Sequence, residues 1–280
     1  DGIDFILTCD NGIAAYEPIQ YAKELGMSVI VTDHHEVPYE AEAGSGKHQY
    51  ILPPADAIVN PHQEDCSYPF AGICGAVVAY KLTEVLYEAC GVPHDEIKAL
   101  LAFAAFATVG DVMELRDENR IIVKYGLEEM KQTEHVGLRA LMDAAGIERN
   151  KLSPYHMGYI LGPCINATGR LDTAERALSL LRETELSEAA KIAVDLKELN
   201  DSRKDLTRKY QEQALKEVGA MSKEEHVLVV YLPDCHESLA GIIAGRIREH
   251  YNRPAFVLTK GEDGVKGSGR SIEAYHMYEE

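Results

Sequence analysis

The sequence predicts an α/β protein in which a parallel-sheet domain is joined by a long helix to a smaller α/β domain. Three observations carry this. Short apolar runs at 5–9, 28–32 and 56–59 alternate with helical patterns and end in polar residues, as buried parallel strands do. A continuous, heavily charged helical pattern without Gly or Pro runs from about Thr184 to Val218. A second strand–helix–strand pattern follows it, at 227–232, 238–250 and 255–259. Long helices that are polar all round usually bridge domains, so the chain divides into 1–183, a connector at 184–219, and 220–280.

Bulk composition agrees with a globular protein. Hydrophobic residues make up 46% of the 280 and charged residues 26%. No apolar run approaches the roughly 20 residues of a membrane span, and no partner membrane is expected. The six cysteines form no CxxC pair and are read as reduced thiols in apolar contexts, which places the protein in the cytoplasm. His62, Cys66 and Cys74 match no zinc-site spacing. The net charge of −18 opposes a polyanionic partner, but from Ala240 to Ile272 six basic residues stand against three acidic ones, leaving a local surface compatible with nucleic acid.

In chain order, strand 5–9 leads to a helix over about 14–25 with Gly26 as its C-cap, then to strand 28–32, a βαβ unit whose crossover should be right-handed. The span 39–54, with Gly44, Ser45, Gly46 and two prolines, reads as a surface insertion before strand 56–59. Helices are expected at 73–89 and 97–109, the latter buried on most sides and ending at Gly110-Asp111. Further helices are expected at about 118–131, 137–146 and 154–161, followed by a Gly/Asn loop, 162–172, that presents Arg170. Beyond the second unit's strands, Gly264–Ser271 mixes glycines with Lys266, Arg270 and two hydroxyls. It suits a phosphate clamp and equally a glycine-rich hairpin.

The chemistry concentrates at strand ends, where open α/β sheets bind ligands. Strand 28–32 runs into Asp33-His34-His35, and strand 5–9 ends at Asp10. Carboxylates beside imidazoles suit Mn²⁺, Mg²⁺ or Zn²⁺ without choosing among them. Asp111, read as buried after an apolar helix, should be paired or ligated, because an isolated buried carboxylate is costly. Arg170 in its loop suits capture of an anion.

Taken together, several segments resemble the DHH phosphoesterase superfamily and, within it, the RecJ single-strand-specific exonucleases. They are Thr8-Cys9-Asp10-Asn11-Gly12-Ile13, Val31-Thr32-Asp33-His34-His35-Glu36, Ile58-Val59-Asn60-Pro61-His62 and Tyr68-Pro69-Phe70. Ala107-Thr108-Val109-Gly110-Asp111-Val112, Gly162 through Leu171, and Lys266-Gly267-Ser268-Gly269-Arg270-Ser271-Ile272 complete the set in the family's order. The resemblance implies a DHH catalytic domain and a DHHA1 nucleic-acid-binding domain. It implies a 5′-to-3′ exonuclease that hydrolyses single-stranded DNA in repair and recombination, with two Mn²⁺ or Mg²⁺ ions. By it, Asp10, His34 and Asp111 are metal ligands, Asp33 supports the metal site, and His35 lies beside the metals and the scissile phosphate. Asn166 presents Arg170 to a DNA phosphate, while His236, Ser268 and Arg270 grip the strand. A single-strand-binding protein or a helicase would be further partners.

The family's first aspartate motif should precede Asp10 by several tens of residues, and its second domain should extend past Glu280. The chain by itself is therefore expected to be inactive or nearly so. Two alternatives stay open. One is a small DHH–DHHA1 phosphodiesterase for oligoribonucleotides or cyclic dinucleotides, whose glycine-rich clamp typically ends in His, where this chain has Arg270. The other is a catalytically inactive DHH-type binding subunit.

Overall fold

The computed structural model describes residues 2–41, 48–222, 225–261, 264–275 and 277. The expected insertion residues Gly44, Ser45 and Gly46 lie outside the described residues. The chain forms two compact units that part at Gly162/Pro163.

The first unit is built on a three-stranded sheet of β1 (Phe5–Leu7), β2 (Ser28–Thr32) and β5 (Ala57–Val59), all parallel, in the order β1-β2-β5. Helix α1 (Tyr16–Glu24) makes the crossover between β1 and β2. Its Ile19 and Ala22 bury Val29 and Val31 of β2, with Ile6 and Ile58 packed around them. Because side chains alternate along a strand, Phe5, Leu7 and Val59 point to the other face, where they are exposed. Between β2 and β5 the chain forms an antiparallel pair, β3 (Tyr39–Ala41) with β4 (His48–Tyr50).

Helices α2 (Gly75–Cys90), α3 (His94–Gly110), α4 (Asp117–Gln132) and α5 (Val136–Ala144) follow. The Tyr68 hydroxyl donates to the Glu118 carboxylate at the start of α4. Lys81 of α2 reaches the same carboxylate at 2.6 Å. Burial and the Glu118 bond together push the Tyr68 hydroxyl up to about 12.

Residues 162–172, expected as a loop, are largely helical. After α6 (Pro154–His156) the chain makes a π turn over Met157–Leu161 and continues as α7 (Gly162–Leu171). A proline inside an α-helix removes a hydrogen bond and collides with the carbonyl four residues back. The wider π turn just ahead of Pro163 gives the backbone room to continue past it. Gly and Pro, read as breakers, here mark a helix with a local defect.

The second unit contains α8 (Glu175–Arg182), the 34-residue α9 (Leu186–Gly219), β6 (Leu228–Tyr231), α10 (Glu237–Tyr251), β7 (Ala255–Gly261) and β8 (Gly264–Arg270). Strands β6 and β7 are parallel, and β8 returns antiparallel to β7, so the glycine-rich segment is a strand. The charged α9 still carries an apolar stripe. Tyr210, Ala214 and Val218 join Leu228 and Val230 of β6 and Leu239, Ile243 and Ile247 of α10 in one core. Each fully buried aliphatic side chain contributes roughly 1.5–3 kcal/mol.

Among the described residues no helix is long and apolar enough to cross a membrane. None of the six cysteines forms a disulfide; Cys74, Cys164 and Cys235 are buried, but Cys9, Cys66 and Cys90 are exposed, against the expectation of apolar surroundings for all six.

Candidate functional site

In the first unit the parallel ladder continues one step past the strand ends. Thr8 N–H donates to Ile30 O and Asp10 N–H to Thr32 O, at 3.0 and 3.1 Å, while Thr32 Oγ1 donates to Thr8 O at 2.6 Å. This locks the two exits side by side. Asp10 adopts φ +62°, a left-handed conformation that aspartate tolerates better than most residues. Gly75, the first residue of α2, backs it closely. A Cβ there would lie 2.5 Å from Asp10 Oδ1, 2.6 Å from its Cβ and 2.8 Å from its Cα, so only glycine fits.

Asp33 is 1% exposed and its carboxylate is fully engaged. Oδ2 accepts from Ile13 N–H at 2.9 Å. Oδ1 accepts from the backbone N–H groups of His34 and His35 at 2.8 and 3.2 Å, and lies 2.7 Å from His35 Nδ1. Burial alone would raise the Asp33 carboxyl. The bonds from Ile13, His35 and His34 outweigh it and hold the group below the usual carboxylate range. The same bond to Asp33 pushes the His35 imidazole above its ordinary value. Buried Asn60 pins the turn from the far side, donating to His35 O at 2.9 Å and accepting from His62 N–H at 2.8 Å.

With Asp33 holding the turn, the His34 side chain, 11% exposed, sets Nε2 at 3.0 Å from Asp10 Oδ1 and 3.5 Å from Asp111 Oδ2. Two ligands at adjacent corners of an octahedron with bonds of about 2.1 Å stand about 3.0 Å apart, so this spacing fits a shared divalent cation. Among the described residues, Asp10, His34 and His35 bring their ligand atoms within 4.8 Å of one another. Asp111 approaches the same group through His34. The chemistry of this donor set, carboxylate oxygen with imidazole nitrogen, suits Mn²⁺, Mg²⁺ or Zn²⁺ alike. His35, expected only beside the metals, is thus also a candidate ligand.

Asp111 corrects an expectation. Its side chain is 49% exposed, as the residue just past the end of α3, so the cost of a buried charge does not apply to it. The strain lies one residue on. Val112 holds φ +57°, a rare conformation for a β-branched residue, with its side chain 87% exposed.

In the second unit, four of the residues singled out in the sequence gather at the start of α10. His236 caps this helix, its Nδ1 accepting from Ser238 N–H at 3.3 Å. Arg170 donates from Nη1 to Ser238 O at 3.0 Å, and Ser238 Oγ donates back to Arg170 O at 2.8 Å. Arg270 Nη1 donates to Ser268 Oγ at 3.1 Å. Both side chains sit over Gly241, where a Cβ would be 2.7 Å from Arg270 Nη2 and 2.9 Å from Ser268 Oγ. Asn166 is exposed four residues before Arg170 on α7, on the same helix face. Arg203 of α9, not anticipated, adds a third guanidinium. Burial first, then the charge of Arg170, pulls it below its ordinary value. Guanidinium groups beside a helix N-terminus have the chemistry that suits an anion. Ser238, Gly241 and Arg203 were missed because only the tertiary fold brings them to Arg170 and Arg270.

A parallel α/β sheet with paired acidic strand exits and a His-His turn agrees with what comparison with known proteins finds. The model of the DHH family, N-terminal domain, matches residues 4–108. The single-stranded-DNA-specific exonuclease RecJ of Bacillus subtilis is 36% identical over 280 residues, covering 99% of this chain and 34% of that protein. A crystal structure of exonuclease RecJ bound to manganese superposes with TM-score 0.83 at 31% identity, over 99% of this chain and 65% of that one. A structure of the Thermus thermophilus RecJ in complex with Mg²⁺ gives TM-score 0.75 at 29% identity, over 99% of this chain and 37% of that one. The chain belongs to the DHH family and is a RecJ-type member of it. It spans about a third of the Bacillus relative.

Proposed function

We propose that this chain is the catalytic part of a metal-dependent 5′-to-3′ exonuclease that hydrolyses phosphodiester bonds of single-stranded DNA. The observation that carries this is the His34 imidazole at 3.0 Å from Asp10 and 3.5 Å from Asp111, fixed from behind by a fully engaged Asp33. Relatives named single-stranded-DNA-specific exonucleases, with Mn²⁺ or Mg²⁺ in solved structures, support it. The polarity rests on the family resemblance.

In this proposal Asp10, His34 and Asp111 hold divalent metal, two ions in the complete enzyme. Bound there, the ions would supply Lewis acidity, making a water nucleophilic at neutral pH and offsetting charge on the scissile phosphate. Asp33 keeps the proton on His35 Nδ1 and so leaves Nε2 to face the metals and the phosphate. The water attacks phosphorus in line, and the bond to the leaving 3′-oxygen breaks. Arg170, presented with Asn166 on α7, holds a phosphate of the strand, and His236, Ser268 and Arg270 grip its backbone. The connector role of α9 and the domain bounds 1–183, 184–219 and 220–280 belong to the same proposal. So do a cytoplasmic setting and a single-strand-binding protein or helicase as partners.

The test is product analysis on a 5′-phosphorylated single strand, a matched duplex and a dinucleotide, with Mn²⁺ and with chelator, using the longest form of the protein that contains this chain. Mononucleotides should leave the 5′ end of the single strand only, and His34→Ala should reduce turnover at least ~100-fold. Turnover confined to the dinucleotide would move the protein to the small phosphodiesterases. Binding without hydrolysis would make it a binding subunit.

A further inference from the structure

We propose that Tyr155 and Tyr159 form a stacking platform for a base of the single strand, on the helical turn packed against the end of α3 that presents Asp111. The inference rests on the nucleic-acid reading above and adds a contact to it. The two rings are stacked on each other, centroids 5.1 Å apart with 24° between planes. Tyr155 is 62% exposed and Tyr159 71%. Large aromatic side chains bury area readily, and a stacked pair left this exposed offers a π surface of the kind on which successive bases stack.

The local fold places this pair deliberately. Tyr155 and Tyr159 stand four residues apart, one on α6 and one in the π turn, so their side chains share a helix face. The edge of His156 approaches the Tyr155 ring, and Ser153 Oγ lies 2.7 Å from His156 Nδ1. Between the tyrosines, buried Met157 anchors the turn, and Gly158 rests against Val109, two residues before Asp111. π turns recur at functional positions, where they re-aim side chains without ending a helix. The turn that carries the platform therefore packs against the end of the helix that leads to Asp111. A nucleobase is the occupant this surface fits, because it extends an aromatic stack without needing a hydrogen bond.

With 15 tyrosines in the chain, binding is read from the anisotropy of a dye-labelled oligonucleotide, which needs no tyrosine as reporter. With chelator present to stop hydrolysis, the full chain is titrated with oligothymidine and with an abasic oligonucleotide of equal length. Tyr155→Ala/Tyr159→Ala should bind oligothymidine roughly 10- to 100-fold more weakly and the abasic strand unchanged. Tyr155→Phe/Tyr159→Phe should keep the affinity for oligothymidine, since the π face is retained. Equal affinity of the alanine variant for oligothymidine, or an equal loss on both strands, overturns the platform alone. If the unaltered chain binds neither strand, the platform falls together with the reading it rests on.

Discussion

In the first unit the candidate acid is surrounded: Asp33 is 1% exposed, and backbone donors from Ile13, His34 and His35 converge on it. In the second unit the candidate strand-binding arginines are exposed. Arg170 and Arg270 lie on the surface, Arg170 donating to Ser238 O and Arg270 to Ser268 Oγ and Gly269 O. A coordination site must be fixed to within fractions of an ångström before the ion arrives, so its supporting bonds are buried and redundant. A site that follows a flexible polyanion gains from long, adaptable side chains, and needs charge more than precision. Substitutions should therefore cost stability and metal affinity together in the first unit. In the second they should cost affinity for the strand and little stability.

Asp33→Ala should have the largest effect. It leaves at least three backbone donors unpaired in a buried pocket, at about 3 to 5 kcal/mol of unfolding free energy, read by urea denaturation in chelator. A loss below about 1 kcal/mol would mean that the turn is held by something else, and the contrast between the units would weaken.

Next is Gly75→Ala. At a helix start, replacing Gly by Ala gains up to about 1 kcal/mol in propensity, so helix energetics favour the change. The contact opposes it, because the new Cβ would meet the Cα and Cβ of Asp10, which cannot swing away. Displacing Asp10 should weaken Mn²⁺ binding roughly 10- to 100-fold, measured by titration calorimetry. Unchanged affinity would remove Asp10 from the ligand set.

Much of this was legible in the sequence. The run Val29-Ile30-Val31 announces a buried strand, and β2 spans 28–32 as expected. Polar residues at two successive strand ends were enough to pair Asp10 with His34, because parallel strands in a βαβ unit deliver their ends to the same side. What failed was local punctuation without context. Gly162 and Pro163 look like a helix end, but a π turn lets the helix continue through them, so Arg170 rides on a helix. Asp111 looked buried because the helix before it is apolar, whereas a residue just past a helix end can turn to solvent. Gly75 and Gly241 carry no local signal of what they do. Their roles against Asp10 and Arg270 depend on pairings distant in sequence, which no local pattern encodes.

Gly241→Ala is the smallest effect and the sharpest comparison, since it repeats the Gly75 substitution in the second unit. The propensity gain is similar, and the Cβ again meets functional atoms, Arg270 Nη2 at 2.7 Å and Ser268 Oγ at 2.9 Å. Here, though, the nearer atom is the far end of a flexible side chain on an exposed strand. The guanidinium can move aside, so unfolding free energy should change by less than about 1 kcal/mol. Affinity for a single-stranded oligonucleotide should fall less than about tenfold, and the salt dependence should drop by at most about one phosphate contact. A stability loss as large as that expected of Asp33→Ala would show that α10 and β8 form a rigid cradle. The second site would then be preorganised like the first, and the distinction between the two units would fail.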